Sequence, residues 1–187
     1  LPVLNRIQFT PSLSDEKIEA ISGGYNYAPS TRAFMQFANR FWESEELNGW
    51  GNTDWPEEIW HPTWDREGPK GILMSYMYYG RAVELDQLIE EDRIQHVLNR
   101  WDSVFPGVYD HEENGVSHSW ALQEWSGGAW ASPTADQDEA LAAHIGAAEG
   151  RIHFAGEHAS DNHGWMQGAL VSGLRAAMEI HTGDLYL

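Results

Sequence analysis

A glycine-punctuated stretch near the C-terminal end, residues 151–177, constrains the fold more than any other part of the sequence. Its apolar start, 152–155, predicts a short strand that breaks at Gly156. From about Gly164 the apolar spacing predicts a helix with one buried face, formed by Met166, Ala169, Leu170, Gly173, Leu174 and Ala177. A strand that turns through glycine into a helix N-terminus predicts a site for an electron-rich ligand. An ordinary strand-turn-helix with a tight Gly-Ala interface is the alternative.

The order of residues within this stretch is also informative. It contains Phe154-Ala155-Gly156-Glu157-His158, then His163-Gly164-Trp165-Met166-Gln167-Gly168-Ala169, then Ser172-Gly173-Leu174-Arg175-Ala176-Ala177. Together these runs closely resemble the C-terminal flavin-binding motif of the FAD-dependent amine oxidoreductases, the family of monoamine, polyamine and L-amino-acid oxidases. The resemblance implies that Gly156 and Glu157 contact the cofactor, with Glu157 hydrogen-bonding the ribityl-phosphate region. It also implies that the N–H groups of Trp165 and Met166 face the flavin N1/O2 edge, where a helix N-terminus stabilises the negative charge gained on reduction.

A second run, 117–130, contains a tryptophan, another aromatic residue at short range and a Gly-Gly turn. It resembles the second signature of the same family. The resemblance implies that Trp120 packs on the isoalloxazine and that Trp125 belongs to the cofactor-binding residues. Glycines at the turn would let the backbone approach the ring closely.

Two tryptophans are candidates for substrate contact. By resemblance, Trp130 and Trp165 match the aromatic positions that flank the substrate amine in amine oxidases. The carbonyl of Gly164 would accept a hydrogen bond from the substrate amine in L-amino-acid oxidases. For Trp130 the alternative is a packing residue beside Pro133.

Two segments predict strands, and each carries a candidate site residue. Segment 31–38 alternates apolar residues, and segment 71–80 is an apolar run that predicts a strand buried on both faces. By resemblance to L-amino-acid oxidases, Tyr76 would donate its hydroxyl to the substrate carboxylate, which an amine substrate lacks. The alternative is that Tyr76 is one of several core tyrosines. After this strand, residues 81–101 have the spacing of one helix with an acidic, solvated face.

Arg32 lies where this family usually carries a lysine that reaches the flavin N5 through a water, and it is the candidate catalytic residue. Arginine keeps the charge but not the compact, titratable ammonium. Either Arg32 holds a modified water or counter-charge near the flavin, or it is a surface base.

Composition excludes several classes of ligand. The formal net charge of -18 argues against nucleic acid and anionic membrane surfaces, because both attract Lys and Arg. The chain has no cysteine, so no thiolate metal site is available, and the nine histidines form no HExxH motif; no metal is predicted.

By resemblance, Ala129 occupies the position of the cysteine that bonds the flavin in monoamine oxidases. We therefore expect FAD to be held non-covalently.

One expected motif is missing. The family holds the ADP half of FAD on a G-x-G-x-x-G turn, and no such spacing occurs here. With no initiator Met, this leads us to expect the C-terminal part of a processed or nicked enzyme, held by an N-terminal chain that carries the dinucleotide motif. The expected fold class is α/β (α+β), with a mixed-sheet substrate domain part over 1–115. The last strand and helix of the FAD-binding domain would lie in 116–187.

The resemblance implies FAD-dependent oxidative deamination of an L-amino acid to a 2-oxo acid, ammonia and hydrogen peroxide, with the fragment inactive alone. The remaining expected partners are a small amino acid and further copies of the enzyme in a homo-oligomer, with no nucleic acid and no membrane. Two alternatives stay open: a monoamine or polyamine oxidase, and a non-catalytic relative that keeps the fold. The compartment is undetermined.

Overall fold

The structure, a computed structural model, describes residues 1–183 and divides the chain into two compact units. The central unit is Pro29–Leu122, and the terminal unit joins Leu1–Ala28 to the chain from Gln123 onward. The boundary expected between 115 and 116 falls inside the strand Glu112–Ser119. The assignment of 1–115 and 116–187 to substrate and flavin binding stays a prediction.

The described chain contains both strands and helices, as the expected α/β (α+β) class requires. The strands are β1 (Tyr27–Ala28), β2 (Ser30–Phe37), β3 (Gly51–Asn52), β4 (Glu58–Trp60), β5 (Gly71–Tyr78), β6 (Glu112–Ser119) and β7 (Trp130–Ala131). The α-helices are α1 (Asp15–Glu19), α2 (Phe41–Ser44), α3 (Tyr79–Asp86), α4 (Glu90–Trp101), α5 (Ala135–Gly146) and α6 (Met166–Thr182). Short 3-10 turns cover Leu4–Arg6, Val108–Asp110 and Glu157–Ala159, and a π-type turn covers Ala20–Gly24.

The central unit is built on an antiparallel sheet with strand order β3-β4-β5-β2-β6. The alternation that predicted a strand over 31–38 is confirmed as β2, since Ala33, Met35 and Phe37 are fully buried. These side chains share one core cluster with residues of α3 and α4, including Leu85 and Trp101. The opposite face of the sheet therefore carries Arg32 and its neighbours.

The strand predicted over 71–80 is confirmed as β5, but its burial on both faces holds only in part. Leu73, Ser75 and Met77 are buried on one face; on the other face Met74 is buried, whereas Tyr76 and Tyr78 are only half-buried. Within the central unit the helical core cluster lies on one face only, so alternate side chains of β5 keep access to the other face.

The single helix predicted over 81–101 was also wrong, because the structure has two helices, α3 and α4. Asp86 is the last residue of α3, and its carboxylate accepts hydrogen bonds from the hydroxyls of Thr31 (2.7 Å) and Ser119 (2.8 Å). Ile89 is extended, and Glu90 begins α4. Three acids open α4, so the residues predicted as a plain solvated face also stabilise a helix N-terminus.

In the terminal unit, α6 confirms the predicted helix but not its predicted buried face. Met166, Leu170 and Leu174 are 80%, 73% and 64% exposed. The face that packs within this unit carries Gly168, Ser172, Ala176 and Glu179. That face is set by polar contacts: buried Glu179 pairs with His153 at 2.8 Å and with Arg175 at 2.5 Å.

One further prediction in the terminal unit needs correction. The strand expected over 152–155 forms only an isolated bridge between Ile152 and Glu149, because no described strand lies beside it to pair with. In the same unit α5 begins at Ala135, where Thr134 and Gln137 form a capping box. Among the helices of residues 1–183, none is long and apolar enough to cross a bilayer.

Candidate functional site

The turn from Gly156 to α6 in the terminal unit is fixed at its first residue by a buried hydroxyl. Ser172, 1% exposed, accepts a hydrogen bond from the Gly156 N–H at 3.0 Å, and its own hydroxyl lies 2.7 Å from the Gly156 carbonyl. Since Ser172 lies on α6, these contacts tie the start of the turn to the helix. The predicted residue Gly156 is therefore held in a defined position.

The carboxylate of Glu157 holds the other end of the same turn. One oxygen accepts hydrogen bonds from the Tyr27 hydroxyl (2.7 Å) and the Ala131 N–H (2.9 Å), and the other accepts from the Gly164 N–H (2.7 Å). Burial, together with this hydrogen bond to a carboxylate, raises the pKa of Tyr27 above its usual range. Tyr27 was not identified from the sequence, because a contact across 130 residues leaves no local pattern.

Two glycines permit the path of this turn. Gly164 has φ +74, and a Cβ there would lie 3.4 Å from the Trp130 ring. A Cβ at Gly168 would overlap the carbonyl oxygen of Asn162 and the hydroxyl of Ser160. The loop backbone thus lies directly against the first turn of α6. Trp130, on β7, and Gly164 thus lie close together, and their contact with substrate stays a prediction.

The N-terminus of α6 offers two amides without a partner. Trp165 is the N-cap and makes no side-chain cap. Its own N–H, which was expected to face the flavin, instead donates to the Asn162 carbonyl at 3.4 Å. Within residues 1–183, the N–H groups of Met166 and Gln167 make no hydrogen bond. Trp165 and Met166 are 68% and 80% exposed, and the first turn carries no acid. This helix end can therefore receive an electron-rich group.

Trp125 takes a different position from Trp130 within the terminal unit. It is 73% exposed, and the guanidinium of Arg6 lies 5.1 Å from its ring centroid. No described contact brings Trp125 to Glu157 or Gly164. Its role in cofactor binding stays a prediction.

In the central unit, β2 and β5 place Arg32 and Tyr76 opposite each other. The guanidinium carbon of Arg32 lies 4.2 Å from the Tyr76 ring centroid, a cation–π contact. Arg32 is half-buried, and its Nε is buried with no hydrogen-bond partner among the described residues. Its cross-strand neighbour on β6 is His118, whose ring packs edge-on against Trp120 at 4.6 Å. Arg32, Tyr76 and His118 thus share one face of the sheet.

A sequence profile described as "Flavin containing amine oxidoreductase" matches residues 1–181. The chain belongs to the flavin-containing amine oxidoreductases. YobN of Bacillus subtilis (strain 168) is 36% identical over 161 residues, which cover 83% of this chain and 34% of YobN. The L-amino-acid oxidase of Siganus canaliculatus is 32% identical over 192 residues, covering 96% of this chain and 35% of that protein.

Solved structures of flavin amine oxidases share the fold. A triple mutant of putrescine oxidase superposes with a TM-score of 0.84 at 21% identity, covering 98% of this chain and 41% of that one. The chain spans about a third of the length of the curated relatives it matches.

Membership of the flavin-containing amine oxidoreductases implies a flavin cofactor, and the terminal unit fits one. The Met166 and Gln167 amides make no hydrogen bond and both residues are exposed, and Gly164 and Gly168 keep side chains out of the turn. Glu157 is an acceptor that can take a hydroxyl donor but would repel a phosphate, which favours contact with the ribityl hydroxyls.

The histidines near this turn serve other contacts. Burial lowers the pKa of His158 to about 4, so its ring is neutral at physiological pH. His163 Nε2 lies 3.1 Å from the hydroxyl of Tyr25, which donates to Asp138 at 2.6 Å. Across residues 1–183 no group of three or more His, Cys, Asp or Glu side chains is arranged to hold a metal ion.

Proposed function

We propose that this chain is the flavin-contacting C-terminal part of an L-amino-acid oxidase. The reaction converts an L-amino acid, O2 and water into a 2-oxo acid, ammonia and hydrogen peroxide. A bound flavin would supply the chemistry by accepting a hydride from the substrate Cα and passing two electrons to O2. The protein contributes binding, orientation and electrostatics.

The observation that carries this proposal is the turn from Gly156 to Met166. Its glycines, the fixed Glu157 carboxylate and the two free amides of α6 suit the electron-rich edge of an isoalloxazine. The cofactor proposed is FAD. It is held non-covalently, because the chain has no cysteine for the linkage placed by resemblance at Ala129.

The central unit supplies the proposed substrate contacts on the sheet. Tyr76 is half-buried on the open face of β5, so its hydroxyl can donate to a carboxylate. Arg32 stacks on the same ring and adds a positive charge that no described acid neutralises. A carboxylate substrate fits this pair better than a plain amine would, since a second cation beside Arg32 is repelled.

Within the terminal unit, a separate group of residues offers contacts that suit an amine. The exposed Trp165 ring and the Trp130 ring against Gly164 give aromatic surface beside the Gly164 carbonyl. An aromatic surface and a carbonyl acceptor suit an amine that must be oriented before it loses a hydride.

The proposed partner is the remainder of the enzyme, which carries the dinucleotide-binding motif. Relatives are about three times as long, and α6 exposes a face of Met166, Leu170, Leu174 and Met178 that no described residue covers. An apolar helix face of this extent is normally buried against another element. We therefore propose that this chain alone does not turn over substrate.

The test is anaerobic reduction of the complete, flavin-loaded protein by a panel of L-amino acids. Bleaching of the long-wavelength flavin band by L-amino acids and not by their D-enantiomers, followed by peroxide formation in air, is the expected result. Bleaching only by mono- or polyamines would replace the proposal with an amine oxidase. No bleaching by either panel would indicate that the protein is a non-catalytic relative.

A further inference from the structure

A row of four side chains crosses the open face of the central sheet. Antiparallel register pairs His118 with Arg32, Arg32 with Tyr76, and Tyr76 with Glu58, on β6, β2, β5 and β4 in turn. Directly opposed residues project on the same face. The four side chains therefore lie side by side, and the row runs from a cation at Arg32 to an anion at Glu58.

Arg32 has no acidic partner among the described residues. Most of the other arginines in the described chain pair with a carboxylate or with backbone carbonyls, as Arg40 and Arg175 do. Arg32 is half-buried, forms no ion pair within residues 1–183, and has an unpartnered Nε. In a chain of net charge -18 acids are plentiful, so an unmatched guanidinium here leaves a place for an anion from outside the chain.

The opposite end of the row is an acid surrounded by aromatic rings. One Glu58 oxygen accepts a hydrogen bond from Trp60 Nε1 at 2.6 Å, which fixes the carboxylate. The Tyr76 and Tyr78 rings meet edge-to-face at 5.6 Å. Burial, and then the negative charges of Glu58 and Glu57, raise the pKa of Tyr78. A carboxylate flanked by the faces of aromatic rings forms an environment that binds organic cations.

The spacing of the row fixes the length of a ligand that uses both ends. Neighbouring strands lie about 4.8 Å apart, so the backbones at Arg32 and Glu58, two strands apart, are separated by roughly 10 Å. Their long side chains shorten the gap. A zwitterion with the length of L-lysine or L-arginine can place a carboxylate at one end and a cation at the other.

We propose that Glu58 selects substrates with a cationic side chain: the α-carboxylate of a basic L-amino acid lies at Arg32 and Tyr76, and its side-chain cation lies at Glu58. This rests on the proposed function and adds the substrate class. A neighbouring apolar row, Trp60, Met74, Phe34 and Val116, would instead suit an apolar side chain. The two charged ends favour the basic substrate, and the apolar one is an outcome of the test.

The experiment separates binding from turnover. Isothermal titration of the complete, flavin-loaded protein with 6-aminohexanoate and with hexanoate compares two carboxylates that differ by a terminal ammonium. Neither has an α-amine, so neither is a substrate of the proposed L-amino-acid oxidase reaction. We expect 6-aminohexanoate to bind about tenfold or more tightly, and Glu58→Gln to abolish the difference, because glutamine keeps the acceptor for Trp60 but not the charge.

The matched control is Glu91→Gln, an exposed acid in the first turn of α4, which should leave the binding ratio unchanged. In turnover, Glu58→Gln should lower kcat/KM for L-lysine about tenfold or more and change that for L-leucine less than about twofold. Equal binding of the two carboxylates, or an unchanged ratio in Glu58→Gln, would overturn the inference while L-leucine turnover still supported an oxidase. Absence of bleaching by every L-amino acid would instead overturn the proposed function.

Discussion

The carboxylate of Glu157 accepts a hydrogen bond of 2.7 Å from the backbone N–H of Gly164, seven residues along the chain. With Tyr27 and Ala131 on its other oxygen, this side chain links β1, β7 and the turn before α6. The order of the turn therefore depends on one carboxylate. The positions of the two free amides of α6 depend on the same carboxylate.

Replacing Glu157 with glutamine should loosen this turn. A glutamine oxygen can still accept from Tyr27, but its NH2 group would face the Gly164 N–H, donor against donor. We expect a loss of about 1–3 kcal/mol in the free energy of unfolding and about tenfold weaker flavin binding. Thermal unfolding and flavin titration measure the two effects. Glu139→Gln, an exposed acid on α5, is the control, and equal behaviour of the two variants would contradict the role given to Glu157.

Gly168 and Gly173 on α6 provide a matched pair of substitutions. Gly168→Ala forces a methyl group onto the Asn162 carbonyl, so we expect about 1–3 kcal/mol lower stability. At Gly173 a Cβ meets no atom within 4 Å, so alanine should be neutral or stabilise the helix by up to about 1 kcal/mol. Chemical denaturation measures both. A Gly168→Ala protein as stable as the wild type would show that the loop does not lie against α6.

Tyr76→Phe should impair binding of substrates that carry a carboxylate. The ring and its contact with Arg32 remain, so only the hydroxyl donor is lost. We expect KM for L-amino acids to rise about tenfold or more, with a smaller change in kcat. Tyr109→Phe, which removes an exposed hydroxyl that donates to Asn99, is the control. An unchanged KM would assign Tyr76 to packing alone.

Buried Lys17 predicts a rise of stability with pH in the alkaline range. Burial lowers its pKa from 10.5 to about 8 despite the nearby Glu149, so between pH 8 and 10 the unfolded chain binds more protons than the folded one. The free energy of unfolding should therefore increase with pH over this window, by about 1–3 kcal/mol. Above pH 10 the raised pKa values of Tyr25 and Tyr27 reverse the trend, since the folded state then retains more protons.

The measurement for Lys17 is denaturant unfolding at a series of pH values. In Lys17→Met the group that titrates is removed, so the rise between pH 8 and 10 should disappear, while the fall above pH 10 should remain. A slope in Lys17→Met equal to that of the wild type would assign the pH dependence to other groups.

Local pattern was enough to predict β2, β5 and α6, because their periodicity and flanking glycines lie within a few residues. It could not predict which side of α6 packs, since that helix carries apolar residues on more than one side. The side that packs contains Glu179, which is buried and paired with His153. Within the site, the motif located Glu157 and Gly164. The contact of Glu157 with Tyr27 is a side-chain hydrogen bond across 130 residues, and that of Arg32 with Tyr76 depends on strand pairing between distant segments; no local pattern reports either.

The central claim is that the turn from Gly156 to Met166 presents the first amides of α6 to the pyrimidine side of a flavin. A crystal structure of the complete, flavin-loaded protein tests it most directly. We expect a Met166 or Gln167 N–H within about 3.2 Å of the flavin O2 or N1 atom. A flavin bound elsewhere, with this helix end still open to solvent, would contradict the claim.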